Sequence, residues 1–319
     1  MLRVLKPGLQ SSLQGPPRFG ARQYGIPYAG PADSVSMALA NRLVGNQPSQ
    51  TALEITYGGF SALVEADCAI AIAGANDQAL VSGQTAPSHQ TLHVKAGEEV
   101  QLPPVARGAR TYLAIRSGFQ ADELFGSSST YMPAGFGGVS GRALKDGDQL
   151  IPIGNGTSAL TLETPAGLKP VFTHNFALRS TPSAEVVALS DAARETLFSE
   201  SFTVGRQATR MGLPLTGHTL ELETDGLMKS APVFPGTIQC PASGDPIILL
   251  CDAQTTGGYP RIATIARCDR HVLGQIRPGD RVTLLERSPE DAAKALEQKE
   301  ALLKTWLDTP QSGHAFQLY

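Results

Sequence analysis

The sequence predicts a mainly β protein made of two related halves with a few helices, and three observations predict it. Short apolar runs punctuated by Gly, Pro, Asn and Asp dominate the 319-residue chain, whose 33 glycines and 23 prolines supply turn residues throughout. A turn-then-strand unit returns as Gly97-Glu98-Glu99-Val100, Gly147-Asp148-Gln149-Leu150 and Gly279-Asp280-Arg281-Val282. Helical patterns of 10–15 residues are rare between the strands, which argues for barrel or sandwich halves over alternating βαβ units.

Taken in order, the strand candidates are Cys68–Ala73, Thr91–Val94, Thr111–Ile115, Ala159–Leu162, Val186–Leu189, Ile247–Cys251 and Ile262–Ala266. A first helix is expected over 33–44. Asp33 or Ser34 serves as its N-cap, Val35, Leu39 and Leu43 share one face, and Gly45-Asn46 stops it. A short helix is expected near 191–198. A third opens at Ser288-Pro289-Glu290-Asp291, an N-cap, an N1 proline and first-turn acids, and carries Ala292, Ala295, Leu296, Leu302, Leu303 and Trp306 as its packing stripe. The Gly154-Asn155-Gly156 and Thr164-Pro165-Ala166-Gly167 turns mark a boundary. The expected divisions are residues 1–160, residues 161–287 and a C-terminal helix over 288–308.

With 26 basic and 29 acidic residues and a net charge of −3, no basic stripe is available to neutralise a run of phosphates, so nucleic acid is not an expected partner. The start MLRVLKPGLQ has no apolar signal core and no apolar run approaches a membrane span, so a cytoplasmic protein is expected. Cys68, Cys240, Cys251 and Cys268 lack metal-ligand spacing and read as structural thiols. No metal site is expected: His89 and His93 read as a surface pair.

Neither a G-x-S-x-G elbow, a Walker A loop nor H-E-x-x-H is present. Gly135–Gly141 imitates a dinucleotide fingerprint but places Ser140 at the third glycine and precedes no helix. The segment that stands out is Asp252-Ala253-Gln254-Thr255-Thr256-Gly257-Gly258-Tyr259-Pro260-Arg261, directly after an apolar strand. An acid, an amide, hydroxyls, a phenol and a base at the end of a core strand suit a site. Asp252, Gln254 and Thr255 are its catalytic candidates, with Asp252 as a general base. Thr256, Gly257, Gly258, Tyr259 and Arg261 are candidates for substrate or phosphate binding, the glycine N–H groups converging as a nest. A tight turn whose side chains satisfy one another is the competing reading. Arg210 suits a carboxylate substrate or a structural acid, and Asp33 suits an anion site at a helix mouth or a simple N-cap. Arg142 is a further anion candidate, and Ser127–Thr130 reads as a solvated loop.

Several motifs together resemble one family. They include Arg18-Phe19-Gly20, Gly30-Pro31-Ala32-Asp33, Ala40-Asn41-Arg42-Leu43-Val44-Gly45-Asn46, Leu53-Glu54-Ile55-Thr56, Tyr112-Leu113-Ala114 and Gly141-Arg142 in the first half. The second half adds Arg210-Met211-Gly212, Gly236-Thr237-Ile238-Gln239, Gly244-Asp245-Pro246-Ile247 and the 252–261 segment. The chain resembles, over residues 1–287, the biotin-dependent carboxyltransferase family, also called allophanate hydrolase subunit 2 or KipA-like. Within that family it is most similar to the branch of the 5-oxoprolinase C subunit. The resemblance implies two related cyclophilin-like β-barrel domains. It implies ATP-dependent opening of 5-oxo-L-proline to L-glutamate, with MgATP shared among this chain, the KipI-like B subunit, and the A subunit. Alternatives within the resemblance are a carboxyltransferase that acts on urea or an amide with carboxybiotin, and a regulatory protein that binds its KipI-like partner. The sequence departs from the family pattern at Gly15 and Pro17, where an acid and a glycine are common, and at Ser128, where Arg is often found. It also departs at Ser117, in place of a glycine, and at Pro214, in place of a base.

Overall fold

The computed structural model describes residues 1–308 and 317–318. The chain divides into two units, the first comprising 1–19, 29–172 and 303–308, the second 20–28, 173–302 and 317–318. The main division is at Phe172/Thr173, beyond the expected 160/161. The excursion of residues 20–28 into the second unit had no sequence signal.

In the first unit, one six-stranded sheet runs in the order Gln149–Leu150, Leu2–Pro7, Phe60–Val64, Glu99–Leu102, Leu80–Val81, Gln84–Thr85. A five-stranded sheet runs Gln10–Gln14, Ala52–Thr56, Arg110–Ile115, Cys68–Gly74, Thr91–Val94. All of the pairings are antiparallel. A core of Leu2, Val4, Leu53, Ile55, Phe60, Ile70, Ile72 and Leu113 lies among these strands. The barrel expected of this half is thus two separate sheets. Helix α1 (Ser34–Leu43) is capped as the sequence predicts: Asp33 accepts the Val35 and Ser36 N–H groups at 3.1 and 3.0 Å. Nearly every side chain of α1 is buried, which its small Ser36, Ala38 and Ala40 permit.

In the second unit, seven strands close into a barrel: Asn175–Pro182, Arg261–Ile265, Thr237–Gln239, Ile247–Leu249, Gly212–Thr216, Ser201–Val204 and Arg281–Glu286. The last strand returns to the first in parallel, Asn175 opposite Arg281, so this barrel has no free edge. Phe176, Leu178, Phe202, Leu213, Leu215, Ile238, Ile248, Ile262, Val282 and Leu284 fill it, and Leu197 of helix α2 (Asp191–Ser199) joins the same core. Fully burying each of these side chains contributes roughly 1.5–3 kcal/mol before entropy.

Helix α3 (Arg267–Arg270) is one turn, and helix α4 (Pro289–Leu307) starts on the Ser288 cap, whose Oγ accepts the Asp291 N–H at 3.0 Å. The stripe of α4 closes on Leu303 and Leu307, whereas Leu302 is exposed: it lies one residue off the i, i+3, i+4 face. No helix among the described residues is long and apolar enough to cross a membrane.

Two strand expectations fail for local reasons. Residues 159–162 run as irregular backbone with Ala159, Leu160 and Thr161 exposed; the chain meets the edge of Thr91–Val94 at Leu162, whose carbonyl accepts the Thr91 N–H and whose N–H donates to Thr91 Oγ1, and at the Gln90–Glu163 bridge, without extending into a ladder. Val186 and Ala188 lie in a 3₁₀ turn, Ala184–Ala188, closed by Val186 N–H to Ser183 and Leu189 N–H to Val186. Its Val186-in, Val187-out pattern mimics a strand over two residues.

The four cysteines are free, and burial pushes the thiols of Cys68 and Cys240 up to about 11, as suits structural residues. His89 and His93 do not pair at the surface. His93 is on an exposed strand face, whereas His89 is buried with Nδ1 3.3 Å from Thr164 Oγ1. Burial, reinforced by Lys169, pulls the His89 pKa down to about 4, while an unfolded histidine titrates near 6.5. The unfolded chain therefore takes up a proton that the folded chain refuses. Stability is full above about pH 6.5 and falls as pH drops toward 4, with up to about 3 kcal/mol from this group. Urea unfolding at pH 7 and pH 4.5 should show this loss, and a His89→Gln variant should show a smaller one.

Candidate functional site

The strand Ile247–Leu249 ends where the chain turns at Cys251-Asp252, and the polar segment that follows is held by four sets of contacts, all within the second unit. The first is a buried ion pair. Arg210 Nε and Nη2 donate to the two Asp252 oxygens at 2.8 and 3.0 Å, with side chains only 4% and 2% exposed. The Asp252 N–H also donates to the Arg210 carbonyl at 3.0 Å. Sequence reasoning singled out both residues, and the structure brings them together in a structural role. Both Asp252 oxygens are thus engaged by a buried guanidinium, and the same fork occupies Arg210 Nε and Nη2.

The second set holds Thr255 and Thr256. Arg22 donates to the carbonyls of Thr255, at 2.9 Å, and Val233, while its guanidinium stacks over Tyr28 and Phe234 at 4.9 and 4.5 Å. Burial lowers the Arg22 pKa, an effect Tyr28 partly offsets, and the two carbonyls and two ring faces are what make the cation tolerable there. Thr256–Gly257 pairs with Ala231–Pro232 as a two-stranded ribbon. Neither Gly257 nor Gly258 has positive φ, so the expected nest of converging N–H groups does not form.

Gly257 instead leaves room for a neighbouring side chain. A Cβ there would stand 2.5 Å from Gln239 Nε2, which is the third set of contacts. Gln239 is buried. Its Nε2 donates to the Tyr259 carbonyl at 3.2 Å and its Oε1 accepts from Gln254 Nε2 at 3.2 Å. The fourth set is Arg261, whose Nε and Nη2 hold Glu185 and whose Nη1 donates to the Pro232 carbonyl at 3.1 Å. Arg261 is therefore a strut rather than a free cation. What the segment presents outward is the Gln254 side chain, Thr256 and the Tyr259 ring.

The first-unit candidates are separate from this segment in their roles. Asp33 is the α1 cap, its Oδ2 also accepting from Ser36 Oγ at 2.5 Å. Arg142 forms a fork with Asp148 at 2.7 and 2.9 Å, which pins the turn before Gln149–Leu150. Ser127–Thr130 is a buried loop, not a solvated one. Ser127 Oγ donates to the Pro16 carbonyl at 2.6 Å, Ser129 Oγ to the Gly15 carbonyl at 3.0 Å and Thr130 Oγ1 to the Leu13 carbonyl at 2.8 Å, while Ser128 Oγ bonds Thr51 Oγ1 at 2.6 Å. Arg18, wholly buried, threads the same loop and donates to the carbonyls of Leu124 and Ser129 at 3.0 and 2.8 Å. Two departures from the family pattern meet here: Gly15 packs directly on Ser128, leaving no room for a side chain at position 15.

Arg22, Gln239 and Arg18 were missed as working residues because each acts through a distant segment. Arg18 and Gln239 do stand in motifs that carry the family resemblance, Arg18-Phe19-Gly20 and Gly236-Thr237-Ile238-Gln239, and that was their advance signal. Among the described residues no three His, Cys, Asp or Glu side chains cluster as a metal site.

Residues 24–286 match the family model described as carboxyltransferase domain, subdomain A and B. The chain belongs to this carboxyltransferase-domain family. It is 36% identical over 300 residues to the 5-oxoprolinase C subunit of Escherichia coli, covering 94% of this chain and 96% of that protein. It is 31% identical to the 5-oxoprolinase C subunit of Haemophilus influenzae, covering 95% and 96% of the two chains. Among solved structures, it matches the urea amidolyase of K. lactis with a TM-score of 0.89 at 27% identity, over 96% of this chain but only 20% of that one. Within the carboxyltransferase-domain family, the match covers the ion pair, Arg22's partners and the Gln239–Gln254 contact, all inside residues 24–286 except Arg22 itself.

Proposed function

We propose that this chain is the C subunit of a 5-oxoprolinase that opens 5-oxo-L-proline to L-glutamate with hydrolysis of ATP, working together with the KipI-like B subunit, and with the A subunit. The observation that carries this reading is the similarity to the 5-oxoprolinase C subunit over nearly the whole of both chains. The site contributes an outward amide, hydroxyl and phenol on a braced segment, groups suited to recognising a small polar amide.

The residues of this segment do not fit an ATP phosphate cradle. Arg210 and Arg261 are paired with Asp252 and Glu185, and the two glycines lie in or beside an extended ribbon. MgATP, shared with the partner subunits in this reading, is accordingly placed away from this segment, and the segment is given to lactam recognition.

Glutamate formation from 5-oxoproline and MgATP tests the reading. The expected result is turnover only when all three subunits are mixed, none from this chain alone, and no effect of avidin. An assembled complex that makes no glutamate overturns it.

The similarity to a urea amidolyase favours one second reading, a carboxyltransferase that moves a carboxyl group from carboxybiotin on a separate carrier to urea or an amide. That reading predicts carboxylation lost on avidin depletion. A regulatory role would instead show as a tight complex with the KipI-like partner and no turnover of either kind.

A further inference from the structure

The orientation of the Gln254 carboxamide follows from its neighbours rather than from choice. The Tyr259 carbonyl can only accept, so the Gln239 atom 3.2 Å from it is the amide nitrogen. Gln239 Oε1 then faces Gln254 and accepts, so the Gln254 atom 3.2 Å away is also the nitrogen. Turning the pair over would set Gln239 Oε1 against the Tyr259 carbonyl, acceptor against acceptor, at a buried position with little water to relieve it. Gln254 itself is exposed, with one N–H engaged by Gln239, and keeps an oxygen acceptor and a second N–H donor.

We propose that Gln254 is the substrate-recognition group of this segment and that its carboxamide edge pairs with an amide whose N–H and C=O point the same way. Ring closure forces that cis arrangement on a five-membered lactam. Two parallel hydrogen bonds then form, lactam N–H to Gln254 Oε1 and Gln254 N–H to the lactam oxygen. An open-chain trans amide offers these groups on opposite sides and can make only one of the two. Gln239 is a positioning residue, acting on the substrate only through Gln254. The inference rests on the proposed lactam substrate and goes beyond it by naming the contact that selects it.

The test uses the assembled complex with 5-oxoproline and its N-methyl analogue. The wild-type complex is expected to lose about tenfold or more in kcat/KM with the N-methyl compound, from the missing donor and the unpaired acceptor. Gln254→Met should raise KM for 5-oxoproline about tenfold with a smaller change in kcat, and should largely abolish the discrimination between the two compounds. Gln239→Met should shift KM in the same direction by a smaller factor. Glutamate formation with the discrimination unchanged in Gln254→Met overturns the pairing while leaving the oxoprolinase reading intact. If the assembled complex makes no glutamate, the Gln254 side-chain NH2 resonances of the full chain in that complex are read against 2-pyrrolidinone and N-methyl-2-pyrrolidinone. A shift with the first compound alone supports the edge pairing without the oxoprolinase reading. No shift, or equal shifts with both, overturns it.

Discussion

Replacing Arg210 by Ala is expected to destabilise the second unit by about 3–5 kcal/mol, because it leaves the Asp252 carboxylate buried without a counter-charge. For a unit of this size, that corresponds to a fall in melting temperature of roughly 10 °C. Asp252→Ala should cost a similar amount by stranding the guanidinium. The paired replacement Arg210→Met with Asp252→Leu should recover much of the loss, since it removes both charges and keeps apolar volume. Differential scanning calorimetry of the wild type, Arg210→Met, Asp252→Leu and the double variant closes the cycle. Single variants that melt like the wild type, with turnover in the complex lost only on changing Asp252, would return Asp252 to the role of base. The expected outcome is instead that stability and turnover fall together, as they do when a brace is removed from a working segment.

Arg18→Ala is expected to be comparably damaging in the first unit, at about 3 kcal/mol or more. The side chain is wholly buried, donates to the Leu124 and Ser129 carbonyls, and lies 4.9 Å over the Phe136 ring. Its removal opens a cavity and strips acceptors that water cannot easily reach. Urea unfolding should show the lost stability, and the amide of Thr130, which donates to Leu13, should exchange faster than in the wild type. Arg18→Lys keeps one charged donor without the fork, so an intermediate loss is expected. An unchanged unfolding midpoint in Arg18→Ala would show that the loop closes without the guanidinium.

Much of the fold was legible because it depends on local chemistry. Asp33 caps α1, Ser288 and Pro289 open α4, and each of the three turn-then-strand units leads into a strand. These features need only neighbouring residues to form. Val186–Leu189 misled because alternation over two residues does not distinguish a strand from a 3₁₀ turn. Ala159–Leu162 misled because a strand exists only where successive residues pair, and this segment meets the edge strand Thr91–Val94 at Leu162 and Glu163 without forming a ladder.

The candidate segment shows the same division. That residues 252–261 carry unusual polar groups after a core strand was plain in the sequence, and so was the importance of Arg210. What the polar groups do depended on partners far along the chain: Asp252 meets Arg210, Arg261 meets Glu185, Thr255 meets Arg22, and Gln254 meets Gln239. Ser127–Thr130, read as solvated, is buried because Leu13, Gly15 and Pro16 supply its acceptors.

By itself the sequence determined the mainly β class, the capped helices, the structural thiols and the family, because propensity, capping and motif order are written in adjacent residues. Only the tertiary structure decided that the second unit closes as a barrel through one parallel pair, that residues 20–28 belong to it, and that Gln254 rather than Asp252 faces outward. Each of these depends on which distant groups satisfy a buried charge or hydrogen bond, and that is settled by burial, which no short stretch of sequence contains.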